Sequence, residues 1–254
     1  MNRRYVFPNT FTAGNLLCGF LATLSAADHQ YVTSAWLIIL AGVFDALDGR
    51  IARAFRAYSP FGVEADSLAD VVSFGLAPSL LAHRVGLFKL GHVGLLVSFL
   101  PLLFALVRLA RFNVQLKDLA HKAAYRGLPA PSASLAIATF VIAYSGNAPL
   151  PQPDVLALLA VAVSVLMVSD FRYEPLPKLS LRRRKSALGV GYLAMWIGLS
   201  LLWPRYFMFP LWLVYVLSGP VQYLTSVLRR RAESEEPALS ERSERTDYGA
   251  DVRA

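Results

Sequence analysis

Cysteine, histidine and charge are all scarce in this chain. One cysteine in 254 residues, Cys18, excludes an intramolecular disulfide and any cysteine-rich metal site. Inside an apolar run it reads as a small core residue. The four histidines are scattered: His29, His83 and His92 lie away from the charged stretch described below, and His121 falls in a polar loop. Only 17% of residues are charged. No soluble basic segment gathers the net charge of +8, so a nucleic-acid-binding reading has nowhere to reside. Missing too are a repeat of fixed period and the amphipathic outer helices that a large soluble helical core would require.

What is present is apolar sequence in long runs, 56% of the chain being hydrophobic. The stretches near 11–27, 31–47, 64–82, 93–110, 131–147, 154–170, 188–203 and 206–228 each read as a membrane helix. Several are near the lower length limit for crossing about 30 Å of hydrocarbon. The expected fold is therefore all-α, a polytopic membrane bundle of about eight transmembrane helices. The start "MNRRYVF" superficially resembles a signal peptide, but Asn9, Thr12, Gly14 and Asn15 break its apolar segment, so a retained helix is expected.

With the N-terminus in the cytoplasm, eight spans leave only Arg84, Lys89 and Arg205 outside, placing 22 of the 25 Lys and Arg on the cytoplasmic side. The expected location is the cell membrane, multi-pass, with a basic cytoplasmic face that attracts anionic lipid or substrate. Residues 1–228 read as one membrane-embedded domain. Residues 229–254 are polar and mixed in charge, and read as a disordered cytoplasmic tail.

Against this background, residues 44–75, "FDALDGRIARAFRAYSPFGVEADSLADVVSFG", hold five carboxylates and three arginines. Ionisable groups in or beside membrane helices are costly, so they pair, face a cavity or carry function. Asp45 and Asp48 are three residues apart and share a helix face, as do Asp66 and Asp70, four apart. "YSPFG" between them supplies a turn that would fold one helix against the other. The two faces would then oppose four carboxylates, hard oxygen ligands suited to Mg²⁺ or Mn²⁺. Arg53 is placed to hold a phosphate oxygen. A buried Arg–Asp network that merely fixes helix packing is the alternative.

Asp45-x-x-Asp48-Gly49-x-x-Ala52-Arg53, eight residues, Gly62, three residues, Asp66, three residues, Asp70 resembles the signature of the CDP-alcohol phosphotransferases without a departure. That resemblance implies a membrane enzyme that displaces CMP from a CDP-activated lipid with the hydroxyl of a second alcohol. It implies two divalent ions, Mg²⁺ or Mn²⁺. Asp45, Asp48 and Asp66 would hold the first, and Asp45, Asp66 and Asp70 the second. Asp70 would also be the general base. Gly49, Ala52, Arg53 and Ser59 would bind the CDP-diacylglycerol, and a homodimer is possible in this superfamily.

"PNTFTAGNLLCGFLA", "DSLADVVSFGLAP", "RLARFN" and "GLPAP" together resemble the branch of the family that uses L-serine as acceptor. This likeness covers roughly the first 135 residues. It implies that Asn9 and Thr12 contact the lipid donor, although both also suit a helix N-cap after Pro8. Asn15 reads either as a packing contact or as part of the same pocket. Arg108, Arg111 and Asn113 are acceptor candidates, since a serine carboxylate wants an arginine. Their alternative is a set of basic anchors at a membrane interface. Ser73 and Arg126 are weaker acceptor candidates.

Other readings are glycerol 3-phosphate, an inositol phosphate or choline as acceptor, or a cation transporter. A transporter would spread its carboxylates across the membrane depth, whereas these gather at one end of two adjacent helices.

Overall fold

The described residues of this computed structural model are 3–55, 60–117, 127–144, 152–171, 173, 195–196, 198–200 and 202–251. Side chains are described for 10–51, 61–114, 127–144, 152–171, 173, 195–196, 198–200 and 202–228. Among them every regular element is helical. The helices are α1 (Arg3–Ala27), α2 (Tyr31–Phe55), α3 (Pro60–Asp70), α4 (Ala77–Val85), α5 (Gly91–Lys117), α6 (Ala130–Tyr144), α7 (Pro153–Val168) and α8 (Pro204–Asp251). A π-helical turn, Val71–Leu76, joins α3 to α4, and a 3₁₀ turn, Leu87–Leu90, precedes α5.

Among the described residues, five helical segments are long and apolar enough to cross a membrane: Thr10–Ala27, Tyr31–Ile51, Phe61–Val85, Leu87–Val114 and Pro204–Leu228. The third runs through α3, the π turn and α4 without a break. α6 and α7, of 15 and 16 residues, are shorter apolar helices of about 22–24 Å at 1.5 Å per residue. Seven of the eight expected stretches thus contain helices. The remaining one, 188–203, lies largely outside the described residues.

Burial follows membrane logic. Large apolar side chains point outward: Leu96 is 67% exposed, Leu158 71% and Val214 70%. Such faces suit lipid rather than water. Small residues fill the helix contacts, among them Ala22 and Ala26 of α1, Ala35 and Ala41 of α2, and Ala133, Ala136 and Ala138 of α6. Small side chains let backbones approach, and dispersion over the close contact holds helices together where lipid is as apolar as the core. α6 is buried over most of its surface and packs against α2, α7 and α8. Among the described side chains, Phe74 of the π turn and Phe140 of α6 are the largest that are fully buried.

Two links complete the frame. Gly127 takes a left-handed φ of +84°, and its N–H donates to Phe171 O at 2.9 Å. Leu128 N–H donates to Leu166 O at 2.9 Å, which ties the start of α6 to the end of α7. Tyr173 donates its hydroxyl to Val216 O of α8 at 2.9 Å. Burial, reinforced by the neighbouring Tyr215, pushes the Tyr173 phenol up to about 12, so it stays a donor at neutral pH.

α8 continues to Asp251 and so takes in residues from 229 onward, which the sequence pattern leaves without a regular element. The segment is rich in Ala, Glu and Arg, good helix formers even where no apolar face exists to guide the eye.

Candidate active site

The carboxylates sit where α1, α2 and α3 meet. α1 and α2 run antiparallel through the short connection 28–30, which places Thr12 and Asn15 of α1 beside the C-terminal half of α2. α3 also packs against α1. One carboxylate oxygen from each of Asp45, Asp66 and Asp70 lies within 4.8 Å of the others. Asp70 is buried, while Asp45 and Asp66 are partly exposed.

Asp48 lies outside this group of three. It is buried and accepts a hydrogen bond from the Thr12 hydroxyl. Its charge is still close enough to act on Asp66. Asp70 Oδ1 accepts a hydrogen bond from Asn15 Nδ2 at 2.9 Å. Each brace is a neutral donor to a carboxylate, which holds the side chain without cancelling its charge.

The donor set fits a divalent cation. Asp66 Oδ1 is buried without a hydrogen-bond partner among the described residues. An orphaned carboxylate oxygen is costly unless something else satisfies it. Three converging carboxylates with one such oxygen give a hard, oxygen-only ligand set of the kind Mg²⁺ and Mn²⁺ prefer.

The structure separates the acceptor candidates. Arg108 of α5 is close enough to Asp45 and Asp70 to act on both electrostatically. Arg111 instead faces Asp170, 3.7 Å away, in a largely exposed pair. Asn113 Nδ2 donates to Ser67 Oγ at 3.0 Å and to Glu64 Oε2 at 3.3 Å, which ties α5 to α3. Ser73 is fully buried and donates to the Asn15 backbone carbonyl at 2.9 Å, which joins the π turn to α1. Gly49 lies on α2, one turn beyond Asp45, with an exposed surface. The expectations for Asn9, Ala52 and Arg53 concern side chains outside the described set, Ser59 lies outside the described residues, and so does Arg126.

Asn15 carries more of the site than its sequence reading conveyed, and Gly19, which has no sequence reading of its own, joins it. The signal available was their spacing: Thr12, Asn15 and Gly19 are three and four residues apart and share one face of α1.

Fold and site together define a helical membrane protein with a carboxylate cluster built for a divalent cation. The family described as CDP-alcohol phosphatidyltransferase matches residues 5–169. A CDP-diacylglycerol–serine O-phosphatidyltransferase of Helicobacter pylori is 36% identical over 179 residues, covering 68% of this chain and 73% of the relative. One from Bacillus subtilis is 36% identical over 167 residues, covering 65% and 88%. An archaetidylserine synthase of Methanothermobacter thermautotrophicus is 34% identical over 170 residues, covering 65% and 68%. The chain belongs to the CDP-alcohol phosphatidyltransferase family.

Proposed function

We propose that this protein transfers the phosphatidyl group of CDP-diacylglycerol to the hydroxyl of L-serine, giving phosphatidylserine and CMP. The observation that carries the chemistry is the convergence of Asp45, Asp66 and Asp70 within 4.8 Å. The serine assignment is supported by the names of the relatives, two of them serine transferases and one an archaetidylserine synthase.

In this reading Asp45, Asp48 and Asp66 hold one divalent ion, and Asp45, Asp66 and Asp70 a second, each Mg²⁺ or Mn²⁺. Bound there, such ions would supply positive charge to offset that of the diphosphate. Asp70 accepts the proton of the serine hydroxyl as its oxygen bonds to the phosphatidyl phosphorus. The bond from that phosphorus to the CMP oxygen breaks, and CMP leaves with the electron pair. Arg108 holds the serine carboxylate. Asn9, Thr12, Gly49, Ala52, Arg53 and Ser59 line the nucleotide and lipid side. The Thr12 proton is committed to Asp48, so Thr12 would meet the donor as a hydrogen-bond acceptor through its oxygen.

The site faces the cytoplasmic side of the cell membrane, where the basic residues of the chain accumulate. Residues 1–228 form the membrane-embedded enzyme, with 229–254 as a polar cytoplasmic extension. The carboxylate cluster is assembled from one chain, so nothing in it supports the homodimer implied by the resemblance.

The test supplies purified protein with CDP-diacylglycerol, Mg²⁺ or Mn²⁺, and serine, glycerol 3-phosphate, an inositol phosphate or choline in turn, and measures CMP release. Release is expected with serine, and its loss on chelation. Release that is independent of the alcohol, or faster with another one, overturns the serine assignment.

A further inference from the structure

We infer that Asn15 is a positioning residue for the transfer reaction, holding one oxygen of Asp70 so that the other is presented to the incoming hydroxyl. The inference rests on the general-base reading of Asp70 given above.

Its first support is geometric. Asn15 is completely buried, and its Nδ2 donates to Asp70 Oδ1 at 2.9 Å across 55 residues of sequence. A carboxylate accepts hydrogen bonds and cannot rotate freely once one oxygen is engaged, so this contact fixes the plane of the group. Asp70 is also the last residue before the π turn. π turns widen a helix locally and recur at functional sites.

The second support is what Asn15 leaves undone. Its Oδ1 is buried without a hydrogen-bond partner among the described residues. An unpaired amide oxygen is a penalty that a leucine of similar size would avoid. A residue needed only to fill space would therefore be better as Leu. What Asn offers in exchange is its N–H, and that N–H goes to Asp70.

The third support is that the backbone of Asn15 is pinned by the same turn it serves. Ser73 Oγ, inside the π turn, donates to Asn15 O at 2.9 Å. Gly19, one turn along α1, lets Ser73 approach: a Cβ there would lie 2.7 Å from Ser73 Cα. α1 is thus joined to Asp70 by the Asn15 side chain, and to the π turn by the Asn15 backbone and the close packing at Gly19.

The test uses the full-length protein in detergent micelles, with Asn15→Ala and the space-filling Asn15→Leu. Both are expected to lower kcat about 10- to 100-fold, as loss of a partner behind a metal-site ligand commonly does. KM for CDP-diacylglycerol should move by less than about threefold, since only the reacting end is disturbed. Mn²⁺ affinity, followed by the spin-resonance signal of free Mn²⁺, should weaken about tenfold or more. In an Asp70→Asn background, Asn15→Leu should weaken Mn²⁺ binding no further, the mark of one residue acting through the other.

A folded Asn15→Leu protein with wild-type kcat and Mn²⁺ affinity overturns the positioning role, as does a full additional loss in the Asp70→Asn background. If Asp70→Asn itself turns over normally, the general-base reading falls instead. Asn15→Leu remaining active while Asp70→Asn is dead refutes Asn15 alone.

Discussion

Gly19→Ala adds one methyl group at the place where α1 touches the π turn most closely. Built on the Gly19 backbone, the new carbon would fall on the Ser73 hydroxyl, 2.7 Å from Ser73 Cα and 2.9 Å from its Cβ. Contacts to Cβ ordinarily begin near 3.4 Å, so the backbones must part by roughly 0.7 Å. Rotating a side chain cannot relieve this, because Ser73 Cα belongs to the turn itself. Overpacking of this kind costs about 1–3 kcal/mol.

Against that stands the gain from replacing a helical glycine by alanine, about 1 kcal/mol. Gly42→Ala isolates the difference. Gly42 lies in α2, and a Cβ there would meet Leu135 Cδ1 at 3.7 Å, an ordinary contact. The helix-propensity gain is common to both variants and cancels between them. Gly19→Ala should therefore be less stable than Gly42→Ala by about 1–3 kcal/mol. For a domain of this size, that is a gap of roughly 3–10 °C in Tm.

Activity should diverge further. Moving Ser73 stretches its hydrogen bond to Asn15 O, and Asn15 in turn holds Asp70. CMP release by Gly19→Ala is expected to fall about tenfold, while Gly42→Ala keeps its rate. Thermal unfolding in detergent by circular dichroism, with CMP release on the same preparations, reads both quantities. Two variants equal in Tm and in rate would refute the close packing of α1 on the π turn.

Two further predictions concern the other contacts of the cluster. Thr12→Val keeps the shape but removes the donor to Asp48, and hydrogen bonds to charged groups contribute about 1.5–3 kcal/mol. Turnover at saturating substrate should fall about tenfold or more, with Thr12→Ser restoring most of it; an undiminished rate would show that Asp48 needs no brace. Arg108→Ala should raise KM for serine about tenfold or more and leave KM for CDP-diacylglycerol nearly unchanged, because a charge-assisted contact to the acceptor is lost. Arg111→Ala should change little, since an exposed pair such as Arg111–Asp170 is worth about 0–1 kcal/mol. Initial-rate kinetics on both variants decide the matter, and the opposite ranking would move the acceptor pocket to Arg111.

What could be read from the sequence was whatever depends on local spacing. A membrane helix needs only an uninterrupted apolar run, and α1, α2, α5 and the apolar part of α8 fall where such runs do. Asp66 and Asp70, four residues apart, share a face of α3, and the packing of α2 and α3 on α1 brings Asp45 to them. Spacing has no power to rank residues that share it. Asp48 is as near Asp45 in sequence as Arg111 is to Arg108, yet Asp48 lies outside the group of three and is held by the Thr12 hydroxyl. Arg111 meets Asp170 while Arg108 acts on Asp45 and Asp70.

The π turn is the clearest case of structure without a local sequence signal. Val71–Leu76 is apolar sequence that an α-helix would accept equally well. Its altered winding goes with contacts made far away in the chain, from Ser73 to the Asn15 carbonyl and to the space above Gly19. The same contacts change the meaning of two stretches that resemble the serine-using branch. "SFG" contains a buried serine that fastens two helices, and "GLPAP" opens with a left-handed glycine that secures α6 to α7. A branch can thus be recognisable through residues that shape the frame of the site. On the proposed reading, discrimination between alcohols would then fall to side chains such as Arg108, which acts on Asp45 and Asp70.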